Sequence, residues 1–111
     1  MPALSESQLK KSLGLIVERL RAALKPAEIY VFGSYIYGTP SRHSDIDMLV
    51  VLERSELDAY SRDAIAYRAL RGIRVSIDVQ VHTREEFDSR AALPVSFERT
   101  VKTRGKLLHA A

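Results

Sequence analysis

The chain has 111 residues, with 17 Lys and Arg against 14 Asp and Glu, a formal net charge of +3, 46% hydrophobic residues and no cysteine. This length predicts one domain over residues 1–111, the composition excludes a disordered chain, and the lack of cysteine excludes disulfides and thiolate metal sites. We expect a cytoplasmic protein without a membrane span or signal peptide, and the mild, interspersed charge disfavours direct nucleic-acid binding.

The first half of the chain predicts one helix and two strands. Apolar residues at helical spacing predict a helix over Ser5–Leu24, with a capping-box pattern at its start and a proline just beyond its end. The β-branched and aromatic run Glu28–Phe32 predicts a strand, which the pair Gly33 and Ser34 breaks. A second strand is predicted over residues 45–52.

The second half of the chain predicts alternating helices and strands. In order, these are a helix over Ser55–Arg71 with Ser55 as its cap and Gly72 as its stop, a strand over Ile73–His82, a helix from the cap Thr83 through Arg90, a helix after Pro94, and a short strand in the final run from Gly105.

This order predicts an α/β (α+β) fold, a small mixed sheet with helices mainly on one face. In the strand Ile73–His82 the side chains of Val75 and Val79 point to one side and that of Asp78 points to the other. A strand buried on both sides would be apolar throughout. The polar residues on the side of Asp78, which are Ser76, Gln80 and His82, therefore predict a second sheet face that is partly open, where a ligand can bind.

Two aspartates stand at the start of the second predicted strand. Asp45 and Asp47 are two positions apart, so both side chains leave the same face, roughly 6 to 7 Å apart along the backbone. Paired carboxylates suit Mg²⁺, which prefers oxygen ligands and shares substrate phosphates; Mn²⁺ accepts the same donors. Asp78 is a third carboxylate, on a strand that could lie beside the first two, and phosphoryl or nucleotidyl transfer with two metal ions needs such a group.

A glycine and a serine precede these aspartates. Gly33 and Ser34 leave a strand and open a short helix, where backbone N–H groups and a helix dipole favour a phosphate and glycine permits close approach. Ser34 could add its hydroxyl. We predict that this pair binds a nucleotide.

Each motif also has an ordinary explanation. The aspartates could belong to a turn, although the apolar run after Asp47 makes them part of a strand, and the Gly-Ser pair could be a simple helix cap. The basic stretch Arg99–Lys106 could be a solvated helix end or a contact for phosphate or an acidic partner. No role is assigned to Tyr35, Tyr37 or Arg42.

Together these motifs resemble the minimal nucleotidyltransferase family, the small members of the polymerase-β-like superfamily. The family signature is a Gly-Ser pair, a ten-residue spacer and Asp-x-Asp, followed by a third carboxylate on a later strand. The matching positions are Gly33, Ser34, the spacer Tyr35–Ser44, Asp45, Asp47 and Asp78. The resemblance covers residues 28–82, about half the chain.

The resemblance implies a polymerase-β-like fold with Asp45, Asp47 and Asp78 as catalytic ligands of two Mg²⁺ ions and Gly33 and Ser34 as nucleotide-binding residues. Asp78 would also help to activate the acceptor hydroxyl. It implies an MntA-like antitoxin that transfers AMP from ATP to a tyrosine hydroxyl of a partner HEPN-domain toxin, a ribonuclease, within a hetero-oligomer.

Two other functions stay open at this point. The chain could be a non-catalytic antitoxin that neutralises its toxin by complex formation alone. It could also transfer a nucleotidyl group to RNA or to a small molecule.

Overall fold

The computed structural model describes residues 3–111, within which the chain forms five helices and four strands. In chain order they are α1 (Glu6–Leu24), β1 (Glu28–Phe32), α2 (Ser34–Tyr37), β2 (Ile46–Leu52), α3 (Ala59–Ala69), β3 (Ile77–Thr83), α4 (Arg84–Ala91), α5 (Phe97–Arg104) and β4 (Lys106–Ala110).

The caps of α1 and α4 agree with the sequence prediction. The Ser5 hydroxyl accepts from the N–H of Gln8 and the Gln8 side chain accepts from the N–H of Ser5, which completes the capping box of α1. Thr83 and Glu86 make the same reciprocal pair at α4. Such caps satisfy N–H groups that have no partner inside the helix, so a local pattern is enough to predict them.

Two predicted element starts were wrong by three or more residues. Helix α3 begins at Ala59, because Asp58 and not Ser55 is its cap: the Asp58 carboxylate accepts from the N–H of Ser61 at 2.7 Å. Strand β3 begins at Ile77 and not at Ile73, because β2 begins with Ile46, the residue that pairs with Ile77. A strand starts where its neighbour offers a partner, and that position is not written in its own periodicity.

The four strands form a mixed sheet in the order β3-β2-β1-β4. Strand β1 is antiparallel to β2 and β4, whereas β2 and β3 are parallel and joined through α3, as a parallel pair requires a crossover. In this register Asp47 lies opposite Asp78 on one side and opposite Phe32 on the other. The topology therefore brings the ends of three strands around Asp47.

Helices cover both faces of the sheet to different extents. The larger core lies between the sheet and the helices α1 and α3; its fully buried residues include Ile16, Leu20, Ile29, Met48, Val50 and Ala66. A smaller core lies on the other face under α4 and α5 and contains Tyr30, Phe32, Leu49, Val51, Phe87 and Val101.

The second face is open at the end that carries the aspartates. It is covered over Leu49 and Val51, but Asp47 is partly buried and Asp78 is exposed. The expectation of a partly open face therefore holds at the end that carries the aspartates. No helix within residues 3–111 combines the length and apolar character that crossing a membrane demands.

Candidate active site

Gly33 brings the backbone directly against Asp47. Its φ is +84°, a conformation that residues with a side chain rarely adopt, and a Cβ atom placed there would lie 2.0 Å from Asp47 Oδ2. This contact follows from the register in which Phe32, the residue before Gly33, lies opposite Asp47. The glycine predicted to approach a ligand closely is thus also required by the packing of a carboxylate.

Gly33 also starts the short helix α2. Its carbonyl oxygen accepts from the N–H groups of Ile36 at 2.9 Å and Tyr37 at 3.1 Å. The helix has only four residues, so the helix-dipole attraction for phosphate that we expected from the sequence is small. What remains at its start are backbone N–H groups without partners inside the helix and the partly buried Ser34.

The three aspartates share one neighbourhood. Asp47 and Asp78 are register partners. Asp45 was predicted to lie on the strand but comes just before β2, and its charge acts on Asp47. Burial, together with the negative charges of Asp78 and Asp45, raises the pKa of Asp47 to about 6. Like charges held together in this way favour a bound proton or cation.

Two hydroxyl groups hold the outer aspartates. The Ser76 hydroxyl donates to Asp45 Oδ1. The Tyr67 hydroxyl donates to Asp78 Oδ1 at 3.0 Å and accepts from the N–H of Val79 at 3.1 Å. The sequence placed Ser76 on the polar side of its strand, but no spacing pattern connects Tyr67, on α3, with Asp78.

The three aspartates are the right kind of ligand for magnesium, but their side chains are not yet placed to bind one ion together. Three carboxylates supply the oxygen ligands that Mg²⁺ prefers. However, among residues 3–111 no group of three or more His, Cys, Asp or Glu side chains is placed to hold a metal ion. The side chains would therefore have to move together when a metal ion binds. Asp45 and Asp78 could turn away from Ser76 and Tyr67, or keep these hydrogen bonds through Oδ1 and bind the ion through Oδ2.

The remaining candidate residues from the sequence have different surroundings in the structure. The Tyr35 hydroxyl accepts from the N–H of Leu4 at 3.0 Å and its ring packs against the larger core, so Tyr35 is structural. Arg42 is exposed on the spacer loop and donates to His43 at 3.2 Å. In the basic stretch, the Arg104 guanidinium lies over the Tyr37 ring, 4.5 Å from its centroid.

The family model of the nucleotidyltransferase domain matches residues 13–107. This match includes every residue of the site described above. No curated protein matches the chain.

Several solved structures share the fold. A protein of Sulfolobus solfataricus, proposed to be a nucleotidyltransferase, superposes with a TM-score of 0.62 at 23% identity, covering 96% of this chain and 90% of the other. A chain of a toxin–antitoxin structure with AMP-PNP has a TM-score of 0.61 at 30% identity, covering 88% and 73%.

A third structure is a variant of the MntA–HpeT toxin–antitoxin, with a TM-score of 0.59 at 28% identity, covering 88% and 73%. Its two substituted residues are aspartates two positions apart, replaced by glutamate. Because the family model spans most of the chain and one solved relative reaches 30% identity, this protein is a nucleotidyltransferase and a member of the nucleotidyltransferase domain family.

Proposed function

We propose that residues 1–111 act as one minimal nucleotidyltransferase domain that transfers AMP from ATP to a tyrosine hydroxyl of a partner protein. The partner is a HEPN-domain ribonuclease toxin, the chain is its antitoxin, and both act in the cytoplasm, where ATP is available. The observation that carries this proposal is the register of Asp47 with Asp78 beside Gly33.

Each site residue has a part in this proposal. Gly33 and Ser34 bind the phosphates of ATP through backbone N–H groups and a hydroxyl. Asp45, Asp47 and Asp78 hold two Mg²⁺ ions, or Mn²⁺ in their place, and the raised pKa of Asp47 supports this because a divalent cation offsets the repulsion among the three carboxylates. Magnesium, when bound, neutralises phosphate charge and orients the reacting oxygens.

In the reaction, the acceptor hydroxyl oxygen forms a bond with the α-phosphorus of ATP. The bond from this phosphorus to the bridging oxygen breaks, and pyrophosphate leaves with that electron pair. The acceptor proton passes to Asp78 or to water. Asp78 is suited to receive it because this carboxylate is exposed and already accepts a hydrogen bond from a tyrosine hydroxyl in the structure.

The solved relatives support the partner class. Two of the structures described above are toxin–antitoxin assemblies, one of them with the ATP analogue AMP-PNP, and both cover 88% of this chain.

Intact-mass analysis tests the proposal. The chain is incubated with Mg²⁺, ATP and a candidate HEPN-domain toxin, and the double variant Asp45→Asn plus Asp47→Asn serves as the inactive form. We expect a gain of one or more AMP units on a tyrosine of the partner, absent with the double variant. Transfer that persists in the double variant would exclude the proposed site.

The same experiment separates the non-catalytic alternative. If the double variant still silences the toxin and wild-type chain adds no AMP, the chain acts by complex formation. Labelled RNA added in parallel shows whether a nucleic acid is the acceptor instead.

A further inference from the structure

We infer that Arg104, from the basic stretch near the carboxyl end, binds the β- and γ-phosphates of the nucleotide. This inference rests on the proposed function, because it assigns a new residue to the same nucleotide site. The motif signature does not include Arg104, which lies 70 positions after Ser34.

The sheet brings the end of helix α5 close to the end of β1. Strands β1 and β4 are antiparallel with Val31 opposite Lys106, and α5 ends at Arg104, two positions before Lys106. Gly105 allows this approach: a Cβ atom there would lie 2.5 Å from the carbonyl oxygen of Val101 and 3.2 Å from that of Val31. Helix α5 can therefore end directly against the strand that delivers Gly33.

An aromatic ring fixes the position of the guanidinium. Arg104 lies 4.5 Å from the centroid of the Tyr37 ring. The N–H of Tyr37 donates to the Gly33 carbonyl, and Tyr37 is three residues after Ser34, so both side chains lie on the same side of the single turn of α2. The stack thus holds a cation next to the predicted phosphate contacts.

The charge of Arg104 is available to a ligand. Within residues 3–111 it makes no ion pair with a carboxylate, in contrast to Arg62, Arg84 and Arg90. The N–H groups of a guanidinium match the oxygens of a phosphate in a forked arrangement. Because stacking has already restricted the side chain, less conformational entropy is lost on binding.

A phosphate fits this position better than an acidic protein surface does. The one-turn helix α2 contributes little dipole, and the neighbouring aspartates repel a polyphosphate wherever no cation screens them. An arginine in contact with Tyr37 of α2 supplies positive charge at this end of the site. The β- and γ-phosphates are absent from AMP, which provides a selective test.

The test compares the affinities of ATP and AMP by isothermal titration calorimetry in Mg²⁺ buffer. The variants are Arg104→Gln and the control Lys102→Gln, which removes the same charge from the same helix about 200° around its axis. Losing a forked, charge-assisted contact should weaken ATP binding about tenfold in Arg104→Gln, with AMP affinity unchanged. The control should stay within about twofold for both nucleotides.

Tyr37→Leu provides a second test that keeps the charge and removes the ring, and we expect ATP binding about threefold weaker with AMP unaffected. ATP affinity equal to wild type in Arg104→Gln, or equal losses for ATP and AMP, would overturn the inference. So would intact ATP binding with a weakened partner complex, which would assign Arg104 to the protein interface. If wild-type chain binds ATP and modifies its partner while Arg104→Gln binds ATP normally, only the role of Arg104 fails; if wild type binds no ATP, the proposed function fails as well.

Discussion

Asp47 and Asp78 lie directly opposite each other in the parallel pairing of β2 and β3, and their side chains share one face of the sheet. Neither can leave the other without a change of strand register. A slip by one residue would turn every side chain of β3 to the other face and expose Val79 and Val81, which are buried. The hydrophobic core therefore maintains a pair of like charges at the open end of the sheet.

Removing the charge of Asp47 should stabilise the metal-free protein at neutral pH. Its pKa lies at about 6 in the folded chain against an ordinary value of 3.8, so the folded state binds this proton more tightly than the unfolded state. The resulting loss of folding stability is absent below pH 3.8, grows between the two pKa values and is complete above about pH 6. We expect Asp47→Asn to raise the free energy of unfolding by about 1 kcal/mol at pH 7.5, after allowance for solvent screening at this partly buried group.

Urea unfolding at several pH values between 4 and 8 measures this difference. Glu56→Gln is the control. Glu56 is exposed and lies outside the aspartate cluster, so this variant removes one negative charge without affecting the cluster. A stabilisation of Asp47→Asn that does not change with pH would contradict the explanation from repulsion and burial.

Magnesium should stabilise the wild-type chain and not the variant Asp47→Asn. A ligand that binds only the folded state adds about 1.4 kcal/mol at a free concentration ten times its Kd. Thermal unfolding at pH 7.5 with and without MgCl₂ measures the effect, with and without AMP-PNP. Equal shifts of Tm in both proteins would show that the cation acts elsewhere.

Gly33→Ala should destabilise the protein by about 2 kcal/mol or more, because a positive φ and a contact with Asp47 Oδ2 both oppose a Cβ atom. Gly14→Ala is the matched control: Gly14 lies within helix α1 and a Cβ there has no atom within 4 Å, so this variant should be more stable by about 0.5 to 1 kcal/mol. Chemical denaturation of both variants decides, and a Gly33→Ala protein as stable as wild type would argue against the strained contact.

Tyr67→Phe should slow nucleotidyl transfer mainly through kcat, since it removes the hydrogen bond that holds Asp78 and leaves the Gly33 end unchanged. We expect a decrease of about tenfold and a loss of stability of about 1 kcal/mol, because the N–H of Val79 also loses its acceptor.

Tyr60→Phe, on the same helix and 84% exposed, should leave both quantities unchanged. Steady-state kinetics against ATP separates the parameters. A Tyr67→Phe enzyme with normal kcat and a raised KM for ATP would place the hydroxyl at the nucleotide and not at Asp78.

Glu86→Ala should cost about 3 kcal/mol of stability, far more than Glu85→Ala one position earlier. Glu86 completes the cap of α4 and also accepts from the guanidinium of Arg62 at 2.9 Å and 3.1 Å, and Arg62 is 3% exposed. Its removal leaves a buried cation without its carboxylate. Comparable unfolding midpoints for the two alanine variants would mean that Arg62 finds another partner or reaches water.

Local patterns in the sequence were sufficient for much of the fold. The capping box of α1, the Thr83 cap of α4, the bounds of β1 and the break at Gly33 depend on residues close together in the chain, and each was predicted correctly. The start of α3 was wrong because Ser55 and Asp58 are both acceptable caps and only the packed structure selects one.

The sequence by itself determined a recognisable signature that singles out Gly33, Asp47 and Asp78, and the structure brings these three residues together at the open end of the sheet. Their role as a nucleotide and metal site stays a prediction. Only the tertiary structure decided what surrounds them. Tyr67 meets Asp78 because α3 packs along β3, and Arg104 meets Tyr37 because β4 pairs with β1, so these contacts depend on elements that no local pattern relates to one another.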